Sequence, residues 1–256
     1  GHLPDLCVTV PVFHQGQVVA FVQAFGHHDD IGGAVPGSMP SNATTVYEEG
    51  LAVPPIKLWD AGVPNRSALR IMTRNSRMPD SLAADLDAEC SACLMGARRL
   101  SELFARYGRE TIETAFDAIL DATTETYRRE ILGKIPDGTY AITDYFDNDG
   151  VDDKRLTVAF ALTVAGDEMH LDFTGTSPAA RGPMNIADST AKSLCLVALK
   201  HIFTDVPVNG GAFRPIRFTI PKGSILAAQY PSPVGGTTDV IQRMFDVVFG
   251  ALAQAI

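Results

Sequence analysis

Apolar residues recur at helical spacing over two adjacent stretches in the middle of the chain. The first stretch starts at Asp80-Ser81 and ends at Gly108. Apolar positions three and four residues apart line one face of a helix, so this pattern predicts a long amphipathic helix. Its predicted buried face consists of Leu82, Leu86, Cys90, Cys93, Ala97, Leu100, Phe104 and Tyr107. The two cysteines of the C-x-x-C pair lie on this face, which favours core packing over zinc binding.

A second helix is predicted over residues 109–132, directly after the first. Its predicted buried side chains are Ile112, Phe116, Ile119, Leu120, Thr123, Tyr127 and Ile131. The turn residues Pro136-Asp137-Gly138 end this helical pair. Two more helices are predicted, over residues 188–203 and from Thr237 onward. The last helix is expected to bury Val240, Ile241, Met244, Val247, Val248 and Leu252.

Alternating apolar and polar residues predict β-structure on both sides of the helical pair. Residues 6–25 form a predicted hairpin whose turn lies around Gln15-Gly16. Further strands are predicted over residues 140–146, 156–164, 169–174 and around 215–220. The predicted fold class is therefore α+β, with β-rich parts and an inserted long helical hairpin. The approximate sub-regions of this single domain are residues 1–80, 81–135 and 136–256.

Composition narrows the classes of function. The 256 residues are 46% hydrophobic, which is enough for a large core. The net charge of −9, without a cluster of Lys and Arg, argues against nucleic-acid binding. No apolar run approaches the roughly 20 residues that cross a membrane, and four cysteines do not form a disulfide scaffold. We expect a cytoplasmic protein that acts on a small-molecule substrate.

The end of the sequence indicates a longer parent protein. Ile256 stands inside an apolar helical pattern that has no cap or stop signal. We therefore expect this chain to be a segment of a longer subunit.

Histidine and aspartate residues flank the predicted hairpin. His2 and Asp5 precede the first strand, and His27 follows the second. Antiparallel pairing would bring these residues together, and imidazole and carboxylate groups are usual ligands of a divalent ion. A three-ligand site with open positions could act on a substrate. Alternatively, Gly1-His2 is the remnant of an expression tag, and the other histidines are exposed loop residues.

Other polar residues are candidates for chemistry, and each has a simpler explanation. Glu49 could act as a general base or be a charge on a helix face. Asn75 and Arg77 could bind an anionic or carbonyl substrate, or they could belong to a turn that enters a helix. Asp172 is either a paired buried carboxylate or a site residue.

The aspartate-rich stretch at residues 144–153 has only a superficial likeness to a calcium loop. A calcium loop that starts at Asp147 needs a glutamate at its twelfth position, where Val158 stands. We expect a solvated hairpin turn instead. The glycine pairs of the chain match neither common spacing of a nucleotide-binding loop. If the protein uses ATP, we expect another chain to bind it.

An ordered series of short motifs resembles the hydantoinase B/oxoprolinase family. The series comprises HLPD (2–5), HHDDIGG (27–33), PGSMP (36–40), YEEGL (47–51), NSRMP (75–79), PDGTY (136–140), DFTGTSP (172–178), GPMN (182–185) and the stretch 208–224. Each motif alone is weak, but the ordered set covers nearly the whole chain. Members of the family are longer, and they carry a polar stretch before HLPD, so we expect this chain to lack part of the active site.

The resemblance implies one half of a two-component enzyme. A hydantoinase A-type partner would bind ATP and phosphorylate an unreactive carbonyl or amide oxygen, and the B-type component would complete the reaction. We therefore expect a hetero-oligomer that hydrolyses a cyclic amide of the hydantoin or 5-oxoproline type. A subunit of an ATP-dependent ketone carboxylase, of the acetone or acetophenone type, is the alternative. The third possibility is a non-catalytic scaffold that docks the ATPase partner.

The resemblance also assigns roles to residues. In metal-containing relatives the ligands fall on the HxxD and HHxD motifs, which implies a divalent ion (Mn²⁺, Zn²⁺ or Mg²⁺) on His2, Asp5 and His27. The expected catalytic bases are Asp30, His28 and Glu49. The expected substrate-binding residues are Asn75, Arg77 and Asp172.

Overall fold

The computed structural model describes all residues from Gly1 to Ile256. The α-helices are α1 (Arg66–Asn75), α2 (Pro79–Tyr107), α3 (Arg109–Glu130), α4 (Asp188–Ile202) and α5 (Thr237–Leu252). The strands are β1 (Asp5–His14), β2 (Gln17–His27), β3 (Trp59–Asp60), β4 (Val63–Pro64), β5 (Gly138–Phe146), β6 (Leu156–Ala165), β7 (Glu168–Asp172) and β8 (Ile216–Thr219). This mixture confirms the predicted α+β class. None of the helices combines the length and the apolar character needed to cross a membrane.

The chain folds into two compact units, which we name the hairpin unit and the sheet unit. The hairpin unit contains His2–Pro40 and Val46–Ala115. The sheet unit contains Gly1, Ser41–Thr45 and Phe116–Ile256. Helix α3 therefore begins in the hairpin unit and ends in the sheet unit.

In the hairpin unit, strands β1 and β2 form an antiparallel ribbon that packs on helix α2. The turn between the strands has two residues with positive φ, Gln15 at 51° and Gly16 at 77°. Successive side chains of a strand point to opposite faces, so alternate residues of the ribbon face α2. The buried core of this unit consists of Val8, Ile31, Met72, Leu82, Leu86, Cys90 and Cys93. Phe21 and Phe25 stay exposed.

In the sheet unit, four strands lie in the order β5-β6-β7-β8. The first three are antiparallel neighbours, and β8 runs parallel to β7. Alternate residues of β6 are buried, as its apolar alternation predicts. Helix α5 packs against β5, β6 and α4. Side chains from α4 and α5 that complete the core include Cys195, Leu199, Val240, Met244 and Val248.

The predicted hairpin, the helical pair and the last two helices are confirmed, with ends within a few residues of the predicted ones. The apolar pattern does not predict helix α1. Its sequence RSALRIMTRN is mostly polar, and Met72 is its one buried residue. The helix is instead stabilised at its start by Asn65, whose side chain accepts a hydrogen bond from the N–H of Ala68 at 3.2 Å.

Three side chains that were expected to be buried are exposed. Tyr107 is 47% exposed, Phe116 39% and Ile119 56%. Strand β1 of the ribbon ends at His14, whose ring lies 5.6 Å from the ring of Phe104. Tyr107 lies one helical turn further along α2, so the ribbon does not cover it. On α3 the buried positions of the sheet unit begin only at Thr123.

The connection between β5 and β6 is a mostly exposed hairpin turn, as predicted, but the side chain of Asp149 within it is buried. Asp149 is 3% exposed, and its Oδ1 accepts hydrogen bonds from the N–H groups of Val151 and Asp152 at 2.8 and 2.6 Å. Its Oδ2 accepts another from the N–H of Gly182 at 2.9 Å. The carboxylate is buried because it closes the connection between β5 and β6 and ties it to the segment around Gly182.

Candidate metal site and glycine loop

The open end of the ribbon brings His2, Asp5 and His27 together. Asp5 is the first residue of β1 and His27 the last residue of β2, and the two are paired in the strand register. His2 precedes β1, and its backbone N–H donates to Oδ2 of Asp5 at 2.9 Å. The ribbon therefore places the three side chains next to one another, and their role as metal ligands stays a prediction.

The spacing of these side chains is close to that of a metal site. One ligand atom from each residue lies within 4.8 Å of the others. Nε2 of His2 is 3.7 Å from Oδ1 of Asp5, and the rings of His2 and His27 have centroids 4.9 Å apart. Ligand atoms around a tetrahedral ion with bonds of about 2.1 Å are about 3.5 Å apart. Small side-chain rotations would thus close this set around one ion.

The environment of His2 fits a cation ligand. His2 is buried, and its Nδ1 is buried without a hydrogen-bond partner. Burial lowers the pKa of His2, the carboxylate of Asp5 raises it, and the ring of His27 lowers it, with a net lowering. The imidazole is therefore held neutral, which is the form that binds a metal ion. A buried, unpartnered nitrogen beside a carboxylate and a second imidazole suits a divalent cation.

After His27 the chain enters a glycine-rich segment, residues 28–38, which we call the glycine loop. Asp30 holds this loop together. Its Oδ1 accepts hydrogen bonds from the N–H groups of Gly32 and Arg77 at 2.8 and 3.0 Å. Its Oδ2 accepts from the N–H of Gly37 at 3.0 Å and from Nη1 of Arg77 at 2.9 Å. Burial raises the pKa of Asp30, but these donors together lower it by more, so the pKa lies below its ordinary value.

Arg77 fastens the glycine loop to the segment between α1 and α2. Besides Asp30, its Nη1 donates to the carbonyl of Val35 at 3.0 Å, and its Nη2 donates to that of Gly33 at 2.8 Å. Neighbouring Ser76 donates from its Oγ to the carbonyl of Asp30 at 2.6 Å. The Arg77 side chain as a whole is 40% exposed. Its expected contact with substrate stays a prediction.

Close backbone contacts require glycine at two positions of the loop. A Cβ on Gly32 would lie 2.7 Å from the carbonyl oxygen of Asn75, and one on Gly33 would lie 2.6 Å from that of Glu48. Both glycines also have positive φ, 95° and 83°. The loop is therefore packed backbone against backbone on the elements around it. Glu49, one of the expected bases, follows this contact and is fully buried.

Asn75 lies at the end of α1 and is exposed. Its side-chain amide donates to the carbonyl of Ile71 at 2.7 Å. It lines a cleft of about 770 Å³ together with Arg70 and Arg74. Asn75 is therefore accessible from solvent, and its expected contact with substrate stays a prediction.

His28 points into the hairpin unit, away from the outer face that carries His27. Its ring is 1% exposed, with Nδ1 3.8 Å from Oδ2 of Asp85 and Nε2 3.2 Å from Oε1 of Glu89. Burial raises the pKa of Glu89 and the ring of His28 lowers it, with a net rise. The imidazole therefore faces two carboxylates of α2.

Asp172 belongs to the sheet unit, where it is the last residue of β7. Its Oδ1 accepts a hydrogen bond from the N–H of Thr174 at 2.8 Å. Burial raises the pKa of Asp172, and hydrogen bonds from Thr174 lower it to a net value below the ordinary one. Its expected role in substrate binding stays a prediction.

Sequence reasoning missed Glu89 and Asp85 as neighbours of His28. A signal for Glu89 was present, because it stands three residues after Leu86 and four before Cys93. That spacing places a carboxylate on the apolar face of a helix, where a charged group needs a partner.

The chain combines an α+β fold with a His/Asp/His cluster at the end of a hairpin, and comparison with known proteins gives the family. The family model described as hydantoinase B/oxoprolinase matches residues 1–256. The chain belongs to this family.

Named relatives include both hydrolases and a carboxylase. The chain is 33% identical to the 5-oxoprolinase of Dictyostelium discoideum, over 100% of this chain and 21% of the relative. The crystal structure of ATP-dependent caprolactamase from Pseudomonas jessenii matches with a TM-score of 0.90 and 31% identity, over 100% of this chain and 44% of that chain. The acetophenone carboxylase delta subunit of Aromatoleum aromaticum (strain DSM 19018 / LMG 30748 / EbN1) is 27% identical, over 100% of this chain and 38% of the relative. The chain thus spans less than half the length of these relatives.

Proposed function

We propose that this chain is the substrate-side part of an ATP-dependent enzyme that hydrolyses a cyclic amide. The observation that carries the proposal is the cluster of His2, Asp5 and His27 at the end of the ribbon. The relatives named 5-oxoprolinase and ATP-dependent caprolactamase support it. The proposed substrates are hydantoins and lactams such as 5-oxoproline.

The chemistry requires help from a second component. An amide carbonyl is a poor electrophile, because its nitrogen donates electron density into the carbonyl group. Phosphorylation of the carbonyl oxygen turns it into a leaving group and offsets the electron donation from nitrogen. The chain has no glycine motif with the spacing of a nucleotide loop. The proposed source of the phosphoryl group is a hydantoinase A-type ATP-binding subunit in a hetero-oligomer.

His2, Asp5 and His27 are the proposed ligands of a divalent ion. When bound, such an ion supplies Lewis-acid polarisation of a substrate oxygen. Two imidazoles and one carboxylate favour Zn²⁺ or Mn²⁺ over Mg²⁺, since Mg²⁺ prefers oxygen ligands. The chain contributes by holding three donors at the end of one ribbon, which packing on α2 keeps in place.

Asp30, His28 and Glu49 are the proposed candidates for the base that activates water. All three are buried, with exposed fractions of 2%, 1% and 0%. The near-isosteric variants Asp30→Asn, His28→Gln and Glu49→Gln test them in turn. The variant that removes the base is expected to lose turnover while it keeps its affinity for substrate.

Asn75, Arg77 and Asp172 are the proposed substrate-binding residues. Support for Asn75 is its exposure in the cleft beside α1. Support for Arg77 is its partly exposed side chain, whose guanidinium is a donor suited to a phosphoryl or carbonyl oxygen. Replacement of a residue in this role is expected to raise KM more than it lowers kcat.

Ketone carboxylation is the second candidate function, because the acetophenone carboxylase delta subunit is also a relative. The partner would then phosphorylate an enol oxygen, and the chain would guide addition of a bicarbonate-derived carbon. A scaffold without catalysis, which only docks the ATPase partner, is the third candidate. Bound metal would argue against the scaffold.

The first experiment is elemental mass spectrometry of the intact purified assembly and of its His27→Ala variant. We expect about one divalent ion per chain, lost in the variant. ADP release is then measured with a lactam or hydantoin, and separately with a ketone plus bicarbonate. Turnover with the cyclic amide supports the hydrolase, and turnover with the ketone supports the carboxylase. No metal in either protein would remove the proposed role of the three ligands.

A further inference from the structure

Helix α2 presents Glu89 to the back of the strand that carries His27. Oε1 of Glu89 lies 3.2 Å from Nε2 of His28. The two side chains are 10% and 1% exposed, so the pair lies inside the hairpin unit. A second carboxylate, Asp85, lies 3.8 Å from Nδ1 of His28 but is 50% exposed. Glu89 is therefore the buried partner of this histidine.

Packing alone does not account for this pair. Oε2 of Glu89 is buried without a hydrogen bond, and neither ring nitrogen of His28 reaches hydrogen-bond geometry. An apolar pair in the same space would avoid the desolvation cost of two polar groups. Glu89 nevertheless stands on the apolar side of α2, against the buried ring of His28, which suggests a role beyond the core.

The backbone of His28 connects the pair to the candidate metal ligands. Its N–H donates to the carbonyl of Pro4 at 2.9 Å, next to the paired residues Asp5 and His27. His27 is exposed and the next residue, His28, is buried, so His27 faces outward and His28 inward. A fixed ring of His28 thus fixes the end of the ribbon, and with it the separation of Asp5 and His27.

Gly26 leaves the space that Glu89 occupies. A Cβ on Gly26 would lie 2.2 Å from Oε1 of Glu89 and 3.7 Å from Nε2 of His28. Gly26 does not have positive φ, so its backbone does not itself require glycine. The absence of a side chain here serves the approach of the carboxylate to His28.

We propose that Glu89 is a positioning residue of the metal site: it holds His28 and thereby sets the distance between ligands carried by two strands. The inference rests on the proposed function, since it assumes that His2, Asp5 and His27 bind a divalent ion. Glu89 is not one of the three proposed metal ligands. Partners that orient metal ligands from outside change metal affinity by about 10–100-fold when they are removed.

The test measures two properties of the intact assembly. Its dissociation constants for Zn²⁺ and Mn²⁺ are measured by isothermal titration calorimetry after a chelator has removed bound metal. Its Tm is measured alongside. Glu89→Ala is expected to weaken binding about 10–100-fold. Glu89→Gln keeps the shape and a polar contact with His28, so it is expected to retain most of the affinity. Asp87→Ala removes the same charge from an exposed position of α2 and is expected to bind like the wild type.

Gly26→Ala tests the same inference without changing any charge. The added methyl group displaces the flexible end of Glu89, so metal binding is expected to weaken in the same direction as in Glu89→Ala. If Glu89→Ala does not fold, the metal affinity of Gly26→Ala tests the inference instead.

Two results would overturn the inference alone. One is unchanged metal affinity in Gly26→Ala and in folded Glu89→Ala, beside normal binding by the wild type. The other is a loss of metal affinity in Glu89→Ala that parallels its fall in Tm and that is equally large in Glu89→Gln. If the wild type itself binds no metal, the proposed function and the inference are both overturned.

Discussion

Two polar loops of this protein are each built around one buried aspartate, and they differ in what surrounds that carboxylate. Asp30 holds the glycine loop in the hairpin unit, and Asp149 holds the connection between β5 and β6 in the sheet unit. Both accept hydrogen bonds from several backbone N–H groups, which keep the pKa of each below its ordinary value against the opposing effect of burial. Asp30 alone also pairs with a guanidinium, that of Arg77.

The comparison shows that more contacts hold the glycine loop than hold the turn around Asp149. Backbone N–H groups from two segments are sufficient to close the turn around Asp149. In the glycine loop the guanidinium of Arg77 extends the network from Asp30 to the carbonyls of Gly33 and Val35. This fixes the loop that follows His27 at several points. These hydrogen bonds tie down the segment that directly follows His27, one of the proposed metal ligands.

The largest effect is expected for Asp30→Ala. It removes the partner of Arg77 and leaves buried N–H groups without an acceptor, so the free energy of unfolding should fall by about 3–5 kcal/mol. Metal affinity and turnover should fall as well. Chemical denaturation can be followed through the fluorescence of Trp59, the single tryptophan, which packs against the core of the hairpin unit. A loss below about 1 kcal/mol would show that the network is not needed.

Asp149→Ala should have the next largest effect, and on stability alone. The variant leaves the N–H groups of Val151, Asp152 and Gly182 without their acceptor, at a cost of about 2–3 kcal/mol. Far-UV circular dichroism during denaturation measures this loss in the sheet unit. Metal affinity at a temperature where the variant is folded should equal that of the wild type. A weakened metal site would remove the functional contrast between the two loops.

Arg77→Lys is expected to have a smaller effect. Lysine keeps the positive charge beside Asp30, but a single ammonium cannot reach the carbonyls of Gly33 and Val35 together. We expect a loss of about 1–2 kcal/mol in the free energy of unfolding. KM for substrate should rise if the guanidinium also contacts substrate. An unchanged KM would separate the structural role of Arg77 from the proposed binding role.

The smallest effect on stability at neutral pH is expected from the protonation equilibria of Asp30 and Asp149. Both aspartates have a lower pKa in the folded protein than the ordinary value of about 3.9 expected when unfolded. The unfolded state therefore takes up protons first as the pH falls, and the stabilisation present above about pH 4 is lost below it. The slope of unfolding free energy against pH in this range should be shallower in Asp30→Asn and Asp149→Asn. Equal slopes in wild type and variants would contradict this account.

Local patterns in the sequence predict most of the regular structure. Apolar spacing predicts α2, α3, α4 and α5, because each buries one face against a core. The hairpin and its turn follow from alternation and from Gln15-Gly16. Helix α1 escapes this reasoning because it is largely polar, and its start depends on the cap from Asn65. The exposure of Phe116 and Ile119 is not predicted, because an apolar stripe on a helix does not show how much of its length other elements cover.

Some features of the candidate site also follow from local patterns. The positions of His2, Asp5 and His27 around a hairpin predict that they meet, since the two strand ends of a hairpin are neighbours. The partners of Asp30 and His28 do not follow in the same way. Arg77 and Glu89 lie far along the chain from the glycine loop, and no local spacing relates them to it.

The sequence by itself determined the α+β class, the ribbon, the long helices and the cluster of possible ligands at the ribbon's end. Each depends on periodicity or on residues joined by one short turn. Only the tertiary structure decided that Asp30 is engaged by Arg77, that His28 faces Glu89, and that Asp149 is buried. The physical reason is that these contacts join segments distant in the chain, and the free energy of burying a charge depends on partners that only the folded chain supplies.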